Sequence, residues 1–343
     1  MADIVPSIDI GPFLRGDAAG RRRAAAELDA ACTEIGFFTV VGHGVSLDLI
    51  AEARGMGVEF FALPAEEKMR VQRPPQKLSR GYNWVGDRSL SYTLGVAAPP
   101  DIQEAFAFGP EPMPAPPSGA DDRIAALYAP NIWPERPAAF RRTLLAYRAA
   151  VSELAMATLR LMAAALDVPE SFFADKFDRQ PSTSRVIRYP AVTAQAAPGQ
   201  LRAGAHTDYG TLTLVRGDDT PGGLQVKLRH GDWADIHPAV DAFVCNIGDT
   251  MMRWTNDRWV STLHRVALPP PGTAPADRIS LVFFQQPNPD AVIRCIDTCR
   301  RPGEAEKHPP VTFADYYLGK LMKASHARLD ADAADAGVGV GAR

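Results

Sequence analysis

The sequence predicts an α+β chain, with a mainly helical region over residues 1–180 laid on an antiparallel β sandwich or barrel. Three observations carry this expectation. In the first part, apolar residues recur at helical spacing. After residue 181, short β-type runs alternate with Gly, Pro and Asp turns, the pattern of an antiparallel sandwich or barrel. No flexible linker separates the two parts, so they read as one structural unit.

Taken in order, Ala24, Leu28, Ala31 and Ile35 mark a first helix, which Gly36 stops. Residues 37–41 follow as a buried strand, ended by Gly42-His43-Gly44. A second helix is expected over 46–62. Five prolines between 110 and 117 imply an irregular connection. The longest helix is expected over 136–167, with Leu144, Tyr147, Val151, Leu154, Leu161 and Ala165 on its core face. Strands are expected over 184–189, 211–215, 223–228, 242–247, 260–268 and 279–285, and a last helix over 312–324. The chain thus divides into a helical region (1–180), a β core (181–290), a strand-and-helix segment (291–329) and a disordered tail (330–343).

Composition narrows the function classes. Of 343 residues, 46% are hydrophobic and 22% charged, as in ordinary globular proteins. The net charge is −3 with both signs interspersed, so the basic stripe of a nucleic-acid or membrane-surface binder is missing. No apolar run reaches the ~18 residues of a membrane span, and the N-terminus does not read as a signal peptide. Cys32 and Cys245 lie in apolar stretches and read as core residues, while Cys295 and Cys299 read as free thiols. A reducing cytoplasm is expected, with a small-molecule substrate and a monomer or weak homo-oligomer.

Seven histidines offer metal ligands. His206-Thr207-Asp208 places an imidazole and a carboxylate two residues apart, on one side of a strand. His264 lies in another strand-like run, 58 residues later. Two His and one carboxylate on one face of an octahedron suit Fe(II) and leave three positions open. His230-Gly231-Asp232 has the same form but reads as a solvent-facing hairpin turn. His43, between glycines, reads as structural, and His237, His308 and His326 adjoin Pro or charged surface sequence. Arg278 and Ser280 share one face of the next strand, where a guanidinium and a hydroxyl suit carboxylate capture.

With these residues in place, the chain resembles the isopenicillin N synthase-like 2-oxoglutarate/Fe(II) oxygenases over nearly its whole length. The runs starting at Ile4 and Gly36, together with Gly222–Val226, Asn246–Asp249, Trp254–Asn256 and His264–Val266, look like family motifs. The resemblance implies a distorted double-stranded β-helix, or jelly roll, with a helical N-terminal layer and a C-terminal helix. It implies iron on His206, Asp208 and His264, with 2-oxoglutarate held by Arg278, Ser280 and Tyr189. The implied reaction uses O2, releases succinate and CO2, and hydroxylates, desaturates or cyclises a small organic molecule. Ile187 stands where many plant-type members have Asn, and Ile-Arg-Tyr-Pro looks like isopenicillin N synthase itself. An Fe(II) oxidase without 2-oxoglutarate is therefore the alternative. On the substrate side, Arg80-Gly81-Tyr82 resembles a family segment that approaches the substrate, making Arg80 and Tyr82 candidates. Phe283 is a third candidate; Phe106, Phe108 and Phe283 also fit as core aromatics.

Overall fold

The computed structural model describes residues 4–74, 80–87, 89–96, 98–192 and 196–322. The tail expected over 330–343 and His326 lie outside the described residues. In chain order the strands of the two main sheets are β1 (Ser7–Asp9), β2 (Phe37–Val41), β3 (Gly81–Asn83), β4 (Glu104–Phe108), β5 (Thr183–Tyr189) and β6 (Ala203–His206). They continue as β7 (Leu212–Gly217), β8 (Leu224–Lys227), β9 (Trp233–Asp235), β10 (Phe243–Ile247), β11 (His264–Val266) and β12 (Arg278–Gln285).

Eight strands form one sheet in the order β1-β2-β10-β7-β12-β5-β4-β3, and four form a second in the order β6-β11-β8-β9. β1 and β2 pair in parallel; the other ladders of both sheets are antiparallel. Residues of both sheets, Ile187, Tyr189 and Val282 from one and Ala203 and Val266 from the other, share an apolar cluster. This is the double-stranded β-helix, with helices packed against its larger sheet.

Alternation along β12 separates two environments. Ile279, Leu281 and Phe283 join the core beneath the helical layer. Ser280, Val282 and Phe284 face a cavity between the sheets. The long helix Phe140–Ala165 buries Leu144, Tyr147, Val151, Leu154 and Leu161, as its periodicity predicts, and Ala165 packs half-buried against the same core. It begins four residues later than expected because 136–139 form turns around Pro137. Helix Leu47–Phe61 starts where the hydroxyl of Ser46 accepts from Leu49 N–H, at 3.3 Å. Helix Ala18–Glu34 ends at Gly36, whose φ of +69° suits glycine. A Cβ there would run into the Val260 carbonyl. The C-terminal helix covers 313–322 among the described residues.

Three sequence expectations change. β3 and β4 arise inside the region read as mainly helical, and all five residues of β4 are buried. Residues 260–268 contribute only the short strand His264–Val266. β6 stops at His206, so Asp208 lies two residues beyond the strand rather than within it.

Candidate metal and co-substrate site

His206 and His264 face each other across the β6–β11 ladder, where their Cα positions are paired. Their rings lie 4.3 Å apart between centroids, inclined at 54°. Each ring is oriented by its own chain: His206 Nδ1 donates to Gly204 O at 2.8 Å, and His264 Nδ1 to Thr262 O at 3.1 Å. That fixes the tautomer and turns both Nε2 atoms, with their lone pairs, to one point. The chain leaving β6 returns Asp208 to the same point. Its Oδ1 lies 3.9 Å from His206 Nε2 and its Oδ2 3.8 Å from His264 Nε2. One ligand atom from each of the three lies within 4.8 Å of the others.

Asp208 is itself held. Thr213 Oγ1 donates to its Oδ2 at 2.6 Å and Asn246 Nδ2 at 2.7 Å. Burial acts to raise its pKa, but the two histidines and these donors hold the carboxyl below its usual range. Burial, with His264 beside it, pushes the His206 imidazole down to about 4. At neutral pH the group therefore offers a neutral imidazole and a carboxylate, the donor set that Fe(II) takes. The residues fit the metal that the resemblance implies. Replacing Asn246 by Ala leaves one donor on Asp208, and Fe(II) affinity measured by equilibrium titration is expected to fall roughly 10-fold or more.

Asp101 connects this centre to the cavity wall. Its buried carboxylate accepts from Gly204 N–H at 2.9 Å and from Leu90 N–H at 3.0 Å. Gly204 is the residue whose carbonyl orients His206. Sequence inspection missed Asp101 because its partners lie 11 and 103 positions away.

The cavity between the sheets has a volume of about 360 Å³. Its wall contains His206, Asp208 and His264, and also Arg278, Ser280 and Tyr189. Arg278 pairs with Tyr189 across the β12–β5 ladder, and Ser280 is two residues along the same face. Arg278 Nη1 donates to Thr220 O at 2.9 Å. Burial lowers the Arg278 pKa from its ordinary value. Gly217, opposite Ser280 on β7, leaves room for the guanidinium. A Cβ there would come 2.8 Å from Arg278 Nη2.

The structure places the three substrate candidates outside this wall. Arg80 is buried and donates to Ala129 O at 3.0 Å and Leu127 O at 3.2 Å. Tyr82 is buried with its hydroxyl 2.5 Å from Glu104, which Lys68 and Arg188 also meet. Phe283 faces the helical layer, 5.6 Å from the Arg148 guanidinium. Arg80→Ala would leave two buried carbonyls without their donor, and is expected to destabilise folding by roughly 2–4 kcal/mol. Chemical denaturation checks this; unchanged stability would remove the structural role.

The other histidines behave as surface or framework residues. His230 and Asp232 are exposed in the β8–β9 turn, where Gly231 has a φ of +102°. His43 Nε2 donates to Asp241 O at 2.7 Å while Nδ1 accepts from Val45 N–H. His237 is exposed. His308 meets Asp257 at 2.7 Å across 51 positions. The four cysteines are free thiols.

Comparison with known proteins agrees with this geometry. Residues 5–136 match the model of the non-haem dioxygenase N-terminal region named for morphine synthesis. Residues 181–287 match the 2OG-Fe(II) oxygenase superfamily. The chain is 35% identical over 330 residues to the 2-oxoglutarate-Fe(II) type oxidoreductase hxnY of Emericella nidulans, covering 95% of this chain and 91% of that protein. It is 35% identical over 301 residues to a homoarginine-6-hydroxylase of Oryza sativa, covering 86% and 87%. The crystal structure of a full-length Neurospora crassa protein in complex with α-KG and thymine superposes with a TM-score of 0.80 at 27% identity, covering 95% and 97%. The two family matches bracket the helical layer and the strands that carry His206, Asp208 and His264, and 2-oxoglutarate recurs in the relatives' names. The oxidase alternative loses its footing, and the chain belongs to the isopenicillin N synthase-like 2-oxoglutarate/Fe(II) oxygenases, as an Fe(II)- and 2-oxoglutarate-dependent dioxygenase.

Proposed function

We propose that the protein hydroxylates, desaturates or cyclises a small organic molecule in the cytoplasm, as a monomer or weak homo-oligomer. In this reading His206, Asp208 and His264 hold the iron. Arg278, Ser280 and Tyr189 hold 2-oxoglutarate. The carrying observation is one cavity of about 360 Å³ whose wall contains both residue sets. With iron and 2-oxoglutarate bound, the centre supplies oxidative decarboxylation coupled to oxidation of a substrate C–H bond.

The chain's own part is binding, orientation and exclusion of water. The Arg278 guanidinium and Ser280 hydroxyl receive the far carboxylate of 2-oxoglutarate, which aims its keto-acid end toward the histidines. Tyr189 stands across the ladder from Arg278 and completes that end of the cavity. Burial raises the Tyr189 phenol to about 12, so at neutral pH it serves as a hydrogen-bond donor. Thr213 and Asn246 keep Asp208 turned to the centre. Ile187, Val266 and Val282 give the cavity apolar walls. We read 1–180 as the covering layer, 181–290 as the catalytic core and 291–329 as a closing segment. Among the described residues no helix is long and apolar enough to cross a membrane.

The test is anaerobic Fe(II) titration with and without 2-oxoglutarate, followed by a screen of small molecules that includes homoarginine and thymine. A weak visible charge-transfer band on adding 2-oxoglutarate, and succinate formed in step with product, are the expected results. Product formed without 2-oxoglutarate would sink the reading.

A further inference from the structure

Arg185 lies on the cavity face of β5 with Thr183, Ile187 and Tyr189. It follows the same period of two that places Tyr189 in the wall. Arg185 and Tyr189 are four positions apart, about 13 Å along a strand. Tyr189 is paired with Arg278, so the cavity carries guanidinium groups at two separated places. Arg278 has the Thr220 carbonyl and, in the reading above, 2-oxoglutarate. Among the described residues Arg185 has no hydrogen-bond or ion-pair partner. Its guanidinium rests 5.1 Å from the centroid of the Phe284 ring, itself in the wall.

The ladders locate this cation relative to the centre. Arg185 pairs with Val282, which pairs with Val215. Two pairs along, Thr183, Phe284 and Thr213 form the next row on the same face, and Thr213 bonds Asp208. Arg185 therefore stands two strand spacings, about 10 Å between backbones, from the strand that steadies Asp208. The carboxylates nearby are already engaged. Asp208 faces the histidines and accepts from Thr213 and Asn246. Asp87, also in the wall, pairs with Arg73 at 3.4 Å. Arg73 adds a second positive charge on this side. A guanidinium drawn out of bulk water without an anion is unfavourable. A ligand carboxylate, planar and bidentate, is the group that relieves it.

We propose that Arg185 is the substrate's anchor: the small molecule oxidised by this enzyme carries a carboxylate, which Arg185 binds at the end of the cavity away from Arg278. This deepens the function proposed above and rests on it. The substrate then lies with its acid end on Arg185 beside Phe284, and the rest of the molecule crosses the cavity toward the metal centre, on the Thr213 side of Arg185 rather than the Ser280 side. Asp87 disfavours a second acid group beside Arg73, so the anchor selects monoacids.

The experiment uses wild-type and Arg185→Gln protein loaded anaerobically with Fe(II) and 2-oxoglutarate. The probes are hexanoic, benzoic, phenylacetic and 3-phenylpropionic acids and their primary amides. Binding is read by calorimetry and by perturbation of the charge-transfer band. At least one acid is expected to bind wild-type protein on the order of 30-fold more tightly than its amide. Arg185→Gln is expected to abolish that preference. Its own 2-oxoglutarate affinity should match wild type, since Arg278 is intact. The inference is overturned if amides bind as well as acids, if none of the acids binds, or if Arg185→Gln keeps the preference. Loss of 2-oxoglutarate binding in Arg185→Gln would also overturn it, by assigning this arginine to the co-substrate. Appearance of the band on adding 2-oxoglutarate to wild type reports separately on the underlying function.

Discussion

Replacing His264 by Ala is expected to reduce turnover to background while leaving the fold intact. The reason is geometric. Two imidazole Nε2 atoms and one carboxylate converge from β6, β11 and the chain after β6, and no described side chain stands ready to take the place of any of them. His206→Ala and Asp208→Ala should behave alike, because a facial site loses a third of its protein ligands in each. The fold survives because the core of both sheets is apolar and was not assembled around the metal. Asp208→Ala also orphans the Thr213 hydroxyl and the Asn246 amide, so it should be the least stable of the three. His230→Ala and Asp232→Ala provide the control, since both side chains are exposed in a turn. Metal content by elemental analysis, succinate release and thermal melts measure these outcomes together. Iron retained at wild-type level in His264→Ala, or lost in His230→Ala, would show that the wrong cluster had been chosen.

Arg278→Ala is expected to weaken 2-oxoglutarate binding by about 2–5 kcal/mol, because a buried carboxylate would lose its charged partner. In affinity that is roughly 30-fold to several thousand-fold. Arg278→Lys should recover only part of it, since a single ammonium cannot reproduce the two parallel bonds of a guanidinium. The side chain is packed beside Gly217 and Gly223, so neither substitution forces a clash. Titration of the charge-transfer band with 2-oxoglutarate gives the affinity directly. Wild-type affinity in Arg278→Ala would remove the residue from the co-substrate site.

The candidate site was legible in the sequence because its signals are local. His206 and Asp208 are two apart, Arg278 and Ser280 are two apart, and a strand turns such pairs to one side. For Asp208 the strand period is only part of the reason: β6 ends at His206, and the bend after it delivers the carboxylate. The decoy at His230 was separable by its glycine and its place between two strands. β4 escaped notice because Glu104-Ala-Phe-Ala-Phe is buried at every position, so neither face shows as polar. The Arg80 reading failed for a related reason: a charged residue in a turn-rich stretch looks solvent-facing until the 127–129 segment is folded over it.

By itself the sequence determined the layered α+β architecture, and it singled out His206, Asp208 and His264 together with the pair Arg278 and Ser280. The layers and the Arg278–Ser280 pair follow from a period of 3.6 or of two residues, which short-range backbone geometry imposes; Asp208 reaches the centre through the bend after β6. Only the tertiary structure decided which charged residues reach the cavity. Arg80 and Arg185 are both arginines in or beside β-type sequence. One donates to carbonyls supplied 47 and 49 positions away, and the other faces open space. No local pattern separates them, because burial of a guanidinium depends on which distant backbone is brought to meet it.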